Sequence, residues 1–260
     1  MHSGLKEATS SRPHTIPEEE WGLRLKLAAF YRLVDWFGWT ELVFNHITLR
    51  VPGAQTHFLI NPYGLHYCEV TASNLVKIDL QGEKASPSKY PINVAGFLIH
   101  GAIHAARHDA HCIVHTHTTA GSAVAGKADG LRHDNLVSVR LQGRIAYHEF
   151  EGIVTDKSEQ ARLVANLGDR NMLILRMHGL LAIGGTVEEA FMTYWRLQRA
   201  CELQIAMDSL KGPNRPIPAS VYEAVPQREA AIRQPQPGEE PLDIFGAMLR
   251  KAGIRYEALA

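Results

Sequence analysis

His111-Cys112-Ile113-Val114-His115-Thr116-His117-Thr118-Thr119-Ala120-Gly121 sets two imidazoles directly behind a short apolar run. In an extended strand, residues two apart point to the same side. A strand over Cys112 to His117 therefore projects His115 and His117 together from one face, which lets two ring nitrogens reach one metal ion. Met172-Leu173-Ile174-Leu175-Arg176-Met177-His178-Gly179 repeats the design, a buried-looking strand that ends in a histidine followed by glycine. Three histidines with an open position describe a catalytic type of zinc site better than a closed structural one. Strand-end histidines are also commonly neutral hydrogen-bonded side chains, and an HxH pair arises by chance in a chain with 14 histidines. The pattern alone leaves both readings open.

Around this stretch the chain has the size of one large globular domain with appended termini: 260 residues, 45% hydrophobic and 21% charged. Lys plus Arg and Asp plus Glu stand at 27 each, so no long-range field invites nucleic acid or an anionic membrane. Cys68, Cys112 and Cys201 are odd in number and widely spaced, which fits reduced thiols packed as small apolar residues. No apolar run reaches membrane-spanning length, and the first residues lack the apolar core of a signal peptide, so a cytoplasmic protein is expected.

Residues 1–14 read as a flexible N-terminal segment and 15–211 as the main domain. Glu18, Glu19 and Glu20 place negative charge at the start of a helix whose apolar residues recur at three and four until Gly38. Tyr31, Trp36, Phe37 and Trp39 read as core filling. Strands are expected at Ile47 to Val51 and Thr56 to Ile60, a hairpin across Pro52-Gly53, and again at Val76 to Leu80. Alternation sends Lys77, a lysine inside an apolar run, to the solvent face. Val94 to Arg107 is helical, with His100, His104 and His108 on one face. No HExxH motif accompanies them, so a packed His100 with exposed partners is expected. Thr118 to Gly126 has the small residues of a packed helix without a P-loop or GxSxG elbow. Leu136 to Leu141 and Gly143 to Tyr147 read as strand material, Ser158 to Leu167 as helix. The Met172 strand continues through His178-Gly179 to Ile183, and Thr186 with Glu189 caps a long helix to about Leu210. Seven of the 13 prolines fall between Pro213 and Pro241. Residues 212–260 thus read as a Pro-rich strap ending in a short helix, Leu242 to Lys251.

Phe44-Asn45-His46-Ile47-Thr48-Leu49-Arg50, Asn61-Pro62-Tyr63-Gly64, Glu69 to Asp79, the His115/His117 block, Arg176 to Gly179 and Val187 to Phe191 together resemble the class II aldolase and adducin-head family. Val70 to Lys77 and Ile145-Ala146-Tyr147-His148 look more like the adducin head than like the sugar-phosphate aldolases. The resemblance implies a mixed α/β fold of three layers, with helices on both sides of a mostly antiparallel sheet. It implies Zn²⁺, or another divalent transition metal, on His115, His117 and His178, and a small carbonyl or carboxylate substrate. It also implies oxygen binding near Asn45 and Gly64, Tyr147 as a proton donor reaching across a subunit interface, and a homotetramer.

One departure stands out. In the family's aldolases a glutamate on the helix before the ligand strand acts as base, and its position here is Gly96, with no carboxylate from Pro91 to Ile99. The serines that help hold substrate phosphate fall near Val94 and Ala95. Two readings follow. One is a metal-dependent lyase for a small non-phosphorylated oxo- or hydroxy-carboxylate, with decarboxylation favoured because it removes no C–H proton. The other is a non-catalytic adducin-like assembly module that keeps the metal pocket. Gly96→Glu is expected to restore proton exchange beside a bound carbonyl.

Overall fold

The apolar strands are too short and too evenly spaced to bury themselves, and they assemble into a single seven-stranded sheet. A computed structural model describes residues 12–53, 55–152, 157–232 and 242–260. Most of the expected flexible lead-in, residues 1–11, and part of the strap, residues 233–241, lie outside the described residues. The strands are β1 His46–Val51, β2 His57–Ile60, β3 Val76–Asp79, β4 Cys112–Thr116, β5 Ile145–His148, β6 Met172–Leu175 and β7 Gly179–Gly184. Their order is β3-β2-β1-β4-β7-β6-β5, antiparallel throughout except for β5 beside β6. The ligand strand β4 is thus the central one, and all five of its residues are buried.

The helices are α1 Glu18–Trp36, α2 Val94–Ala106, α3 Thr119–Ala125, α4 Leu136–Val139, α5 Gln160–Leu167, α6 Val187–Ser209, α7 Ala219–Ile232 and α8 Ile244–Ala252. The α1, α6 and α8 helices cover one face over Ile47, Leu49, Cys112, Val114, Leu180 and Ala182. Helices α2 and α5 cover the other over Phe58, Ile78, Ile113, Leu173 and Leu181. This is the expected three-layer arrangement. The two-residue period turns Ile113 and His115 from β4, and His46 and Thr48 from β1, toward α2. Among the described residues no helix is long and apolar enough to cross a membrane.

The structure corrects several expectations. The Met172 run is two strands, because the chain reverses at Arg176–His178 and β7 returns antiparallel to β6. Met177 makes that turn at φ +56°. Gly179 follows because a Cβ there would lie 2.5 Å from the Thr116 carbonyl oxygen, blocking closure onto β4. Leu136 to Val139 is helical (α4) and the chain turns at Arg140 and Leu141, since Asn135 Oδ1 accepts the amides of Val137 and Ser138 at 3.0 Å each and outcompetes strand pairing. Lys77 is not at the solvent face: its Nζ lies 2.8 Å from Glu20 Oε2, and Glu20 also holds Arg24. The proline-rich stretch includes α7, with Pro226 inside it. Cys112 and Cys201 are buried, but Cys68 is exposed. Trp36 is exposed too, while Tyr31 and Trp39 fill the core.

Candidate metal centre

Three elements deliver the three histidines to one point. His115 stands on β4, His117 just beyond its end, and His178 in the β6–β7 turn. The β4–β7 pairing that sets His115 opposite Leu181 brings these segments side by side. Their Nε2 atoms lie 2.8 Å (His115–His117), 2.9 Å (His117–His178) and 3.2 Å (His115–His178) apart. Three nitrogens of a tetrahedral zinc centre stand about 3.3 Å apart, so the cluster is nearly preformed.

Two of the tautomers can be deduced. A carbonyl only accepts, so the Leu180 oxygen 2.9 Å from His115 Nδ1 requires the proton to be there. Glu41 Oε2, 2.5 Å from His117 Nδ1, imposes the same on His117. With both rings neutral, the facing Nε2 atoms present lone pairs to each other at 2.8 Å, a contact that a cation between them satisfies. Burial pushes His115 well below the ordinary histidine range and His178 down to about 4, which keeps both rings as neutral ligands near neutral pH.

The other expected site residues are not all gathered here. Asn45 is 1% exposed, and its amide is committed: Nδ2 donates to the Trp39 carbonyl at 2.9 Å and Oδ1 accepts from His117 N–H at 3.1 Å. It braces the backbone that carries His117. Gly64 lies in an exposed turn at φ +97°, next to Tyr63 at the cavity rim. Tyr147 does not line the cavity; its hydroxyl accepts from Leu131 N–H at 3.0 Å, and the Arg176 guanidinium lies 4.3 Å from its ring centre.

The cavity in front of the histidines measures about 530 Å³ and is lined by Glu41, Phe44, His46, Tyr63, Asn93, Ala95, Ile99, Ser122, Phe150 and Met177, among others. No described lining residue is Lys or Arg. Sequence reasoning missed Glu41 and His46. Leu42 beside Glu41 and Met177 beside His178 are the non-glycine residues with positive φ among the described residues, so backbone strain flanks the site on both sides.

His46 also explains Gly96. A Cβ on residue 96 would lie 2.6 Å from His46 Cδ2 and 2.9 Å from its Nε2, so the imidazole occupies the space a side chain needs. Gly96→Glu is therefore not the simple graft expected from the sequence. Even Gly96→Ala should destabilise the fold by about 1–3 kcal/mol, and Glu by more, because His46 is packed on β1 and cannot withdraw freely. Urea unfolding measures this; a Gly96→Glu protein as stable as the wild type would show the ring to be free to move.

The sequence matches the Class II Aldolase and Adducin N-terminal domain over residues 25–205. It is 43% identical over 246 residues to a Pseudomonas aeruginosa protein provisionally described as an aldolase class 2 protein, spanning 92% of this chain and 95% of the relative. It is 44% identical over 247 residues to alpha-adducin of Rattus norvegicus, spanning 90% of this chain but 34% of that adducin. Among solved structures, an aldolase II superfamily protein from Pseudomonas syringae matches with a TM-score of 0.82 at 41% identity, covering 94% of this chain and 98% of that one.

Proposed function

The chain belongs to the class II aldolase and adducin N-terminal domain family, and on that premise we propose that it is a metal-dependent carbon–carbon lyase, with zinc on His115, His117 and His178. Its substrate is a small non-phosphorylated oxo- or hydroxy-carboxylate, and decarboxylation is the favoured reaction. The observation that carries this reading is the gathering of three Nε2 atoms at 2.8, 2.9 and 3.2 Å from one another. Bound there, the metal supplies a Lewis acid for a carbonyl or carboxylate oxygen.

The chain's own residues narrow the substrate. With no lysine or arginine among them, the described lining residues offer no side-chain cation to a phosphate dianion. The first turn of α2, at Asn93 and Ala95, borders it instead and offers backbone N–H groups and the positive end of a helix dipole, enough for a carboxylate. Phe44, Phe150 and Met177 add apolar surface to its lining. Position 96 carries no base, and loss of carbon dioxide needs none at carbon. The Tyr63-Gly64 turn contacts substrate oxygens at the rim, Asn45 fixes the His117 backbone behind them, and Tyr147 serves as proton donor to a neighbouring subunit.

A panel of oxo-acids and sugar acids given to the zinc-loaded protein tests this. Carbon dioxide release is expected from some oxo-acid, while cleavage of aldol sugar phosphates should be about 10²–10⁴ below that of an enzyme with a positioned carboxylate base. Efficient sugar-phosphate cleavage would return the protein to ordinary aldolase chemistry. The 44% identity to alpha-adducin favours a second reading, a non-catalytic assembly module that keeps the pocket. Under it no panel member turns over. Either reading carries self-association, which we assign as a homotetramer; light scattering that returned a monomer at micromolar concentration would refute it.

A further inference from the structure

Behind the metal cluster runs a line of buried polar groups that the proposed chemistry does not use. It begins at the Ala110 carbonyl, which can only accept, and His104 Nδ1 lies 2.9 Å from it. His104 therefore donates through Nδ1. Its ring is 1% exposed and burial pushes it down to about 3, so it is neutral and its Nε2 carries a lone pair. Thr48 Oγ1 lies 2.8 Å from that nitrogen and must give it the hydroxyl proton. A hydroxyl has a single proton, so Thr48 Oγ1 can only accept from His100 Nδ1, also at 2.8 Å. His100 is fully buried and held neutral by burial, which leaves its Nε2 as an acceptor for His46 Nδ1 at 3.2 Å. Each step fixes the next tautomer, and the last one leaves the proton of His46 on Nδ1 and a lone pair on Nε2.

That Nε2 has no hydrogen-bond partner among the described residues. His46 is 3% exposed, lines the cavity, and its ring centre stands 4.9 Å from that of His115. We infer that His46 Nε2 is a fixed hydrogen-bond acceptor in the pocket, selecting ligands that carry a hydroxyl next to the metal-binding oxygens, as a 2-hydroxycarboxylate or an enol does. Thr48, His100 and His104 are positioning residues that hold it in this state. The inference rests on the metal-pocket reading above and deepens it. This lone pair opens on the cavity, so a ligand hydroxyl that donates to it gains a hydrogen bond and is favoured by about three- to tenfold over a ligand without one.

Nitrogen-15 spectra of histidine-labelled wild-type protein read the tautomers without metal or ligand, with the His46 resonance assigned by its loss in His46→Gln. The Nδ1–H form is expected for His46, His100 and His104; an Nε2–H form at His46 overturns the inference. The zinc-loaded protein is then titrated by calorimetry with glycolate and with methoxyacetate, which keeps the oxygens but lacks the donor. Glycolate should bind about three- to tenfold more tightly, and Thr48→Val, which cuts the line outside the cavity, should shrink that preference toward unity. If neither acid binds, the reading of the pocket falls and this inference with it. If both bind and the preference is unchanged in Thr48→Val, the inference alone falls. Should Thr48→Val fail to fold, the wild-type tautomers decide.

Discussion

Prepared without chelators, the protein is expected to carry about one zinc per chain, and a His115→Ala/His117→Ala variant to carry none. Imidazole ligands suit zinc and its neighbours, whereas magnesium and calcium require oxygen donors, which the cluster itself does not provide. Preorganisation strengthens the case. The Leu180 carbonyl and the Glu41 carboxylate hold two rings with their lone pairs inward, so little ordering remains to be done on binding. Glu41→Ala should leave the three ligands in place yet weaken zinc about 10–100-fold, the usual cost of losing such a partner. Removing two ligands should cost far more. Elemental analysis of dialysed protein, followed by competition with a chromogenic chelator, separates the three cases. Native protein that is metal-free and no better than the double variant at taking up zinc would end the reading of the centre.

The part of this site that follows from local geometry was legible in the sequence. His115 and His117 stand out because a strand repeats every two residues, and His178 because a glycine follows an apolar run. The turn that delivers His178 was hidden, since apolar residues on both sides of it read as one strand and Met177 adopts a positive φ that no turn residue announces. Glu41 lies 76 positions before His117, so no spacing rule joins them; only the loop after α1 does. His46 was visible beside Asn45, but its meaning depends on the register that sets it opposite His115. The histidines of α2 show the same limit. Helical spacing placed His100 and His104 on one face correctly, yet only Thr48, arriving from β1, makes both of them buried partners of the sheet, while His108 beyond the helix end stays exposed. The sheet itself was easier, because short apolar runs and turn chemistry agree at β1 and β2, and β4 stands out as an apolar run that ends in its histidines.

The buried histidines should make the fold unusually sensitive to mild acid. His46, His100 and His104 are all neutral in the folded protein, because burial pushes each below the ordinary value of 6.5, His104 down to about 3. A folded-state pKa lowered in this way means that the unfolded chain binds more protons below pH 6.5 than the native one does. The stability they permit is therefore present above pH 6.5 and is lost as pH falls toward the folded values. With a folded value of about 3, His104 alone removes about 2 kcal/mol between pH 7.5 and 5, and His46 and His100 act in the same direction, against the roughly 5–15 kcal/mol that holds a typical domain. Carboxylates do not explain a loss in this window. Glu20 and Glu188, held below their ordinary 4.5 by their lysine and arginine partners against the opposing effect of burial, give up their contribution only at lower pH. Urea unfolding of the chelator-treated protein at pH 7.5, 6.5, 5.5 and 5 measures the slope without the metal's own proton release. His104→Gln should be less stable at pH 7.5 but decline less steeply, since one of the rings held down by burial, which in the metal-free protein also include His115 and His178, no longer titrates. A wild-type stability that stays flat down to pH 5 would mean that these rings are hydrated or already charged in the native state, and the fixed order of protons from Ala110 to His46 would fail with it.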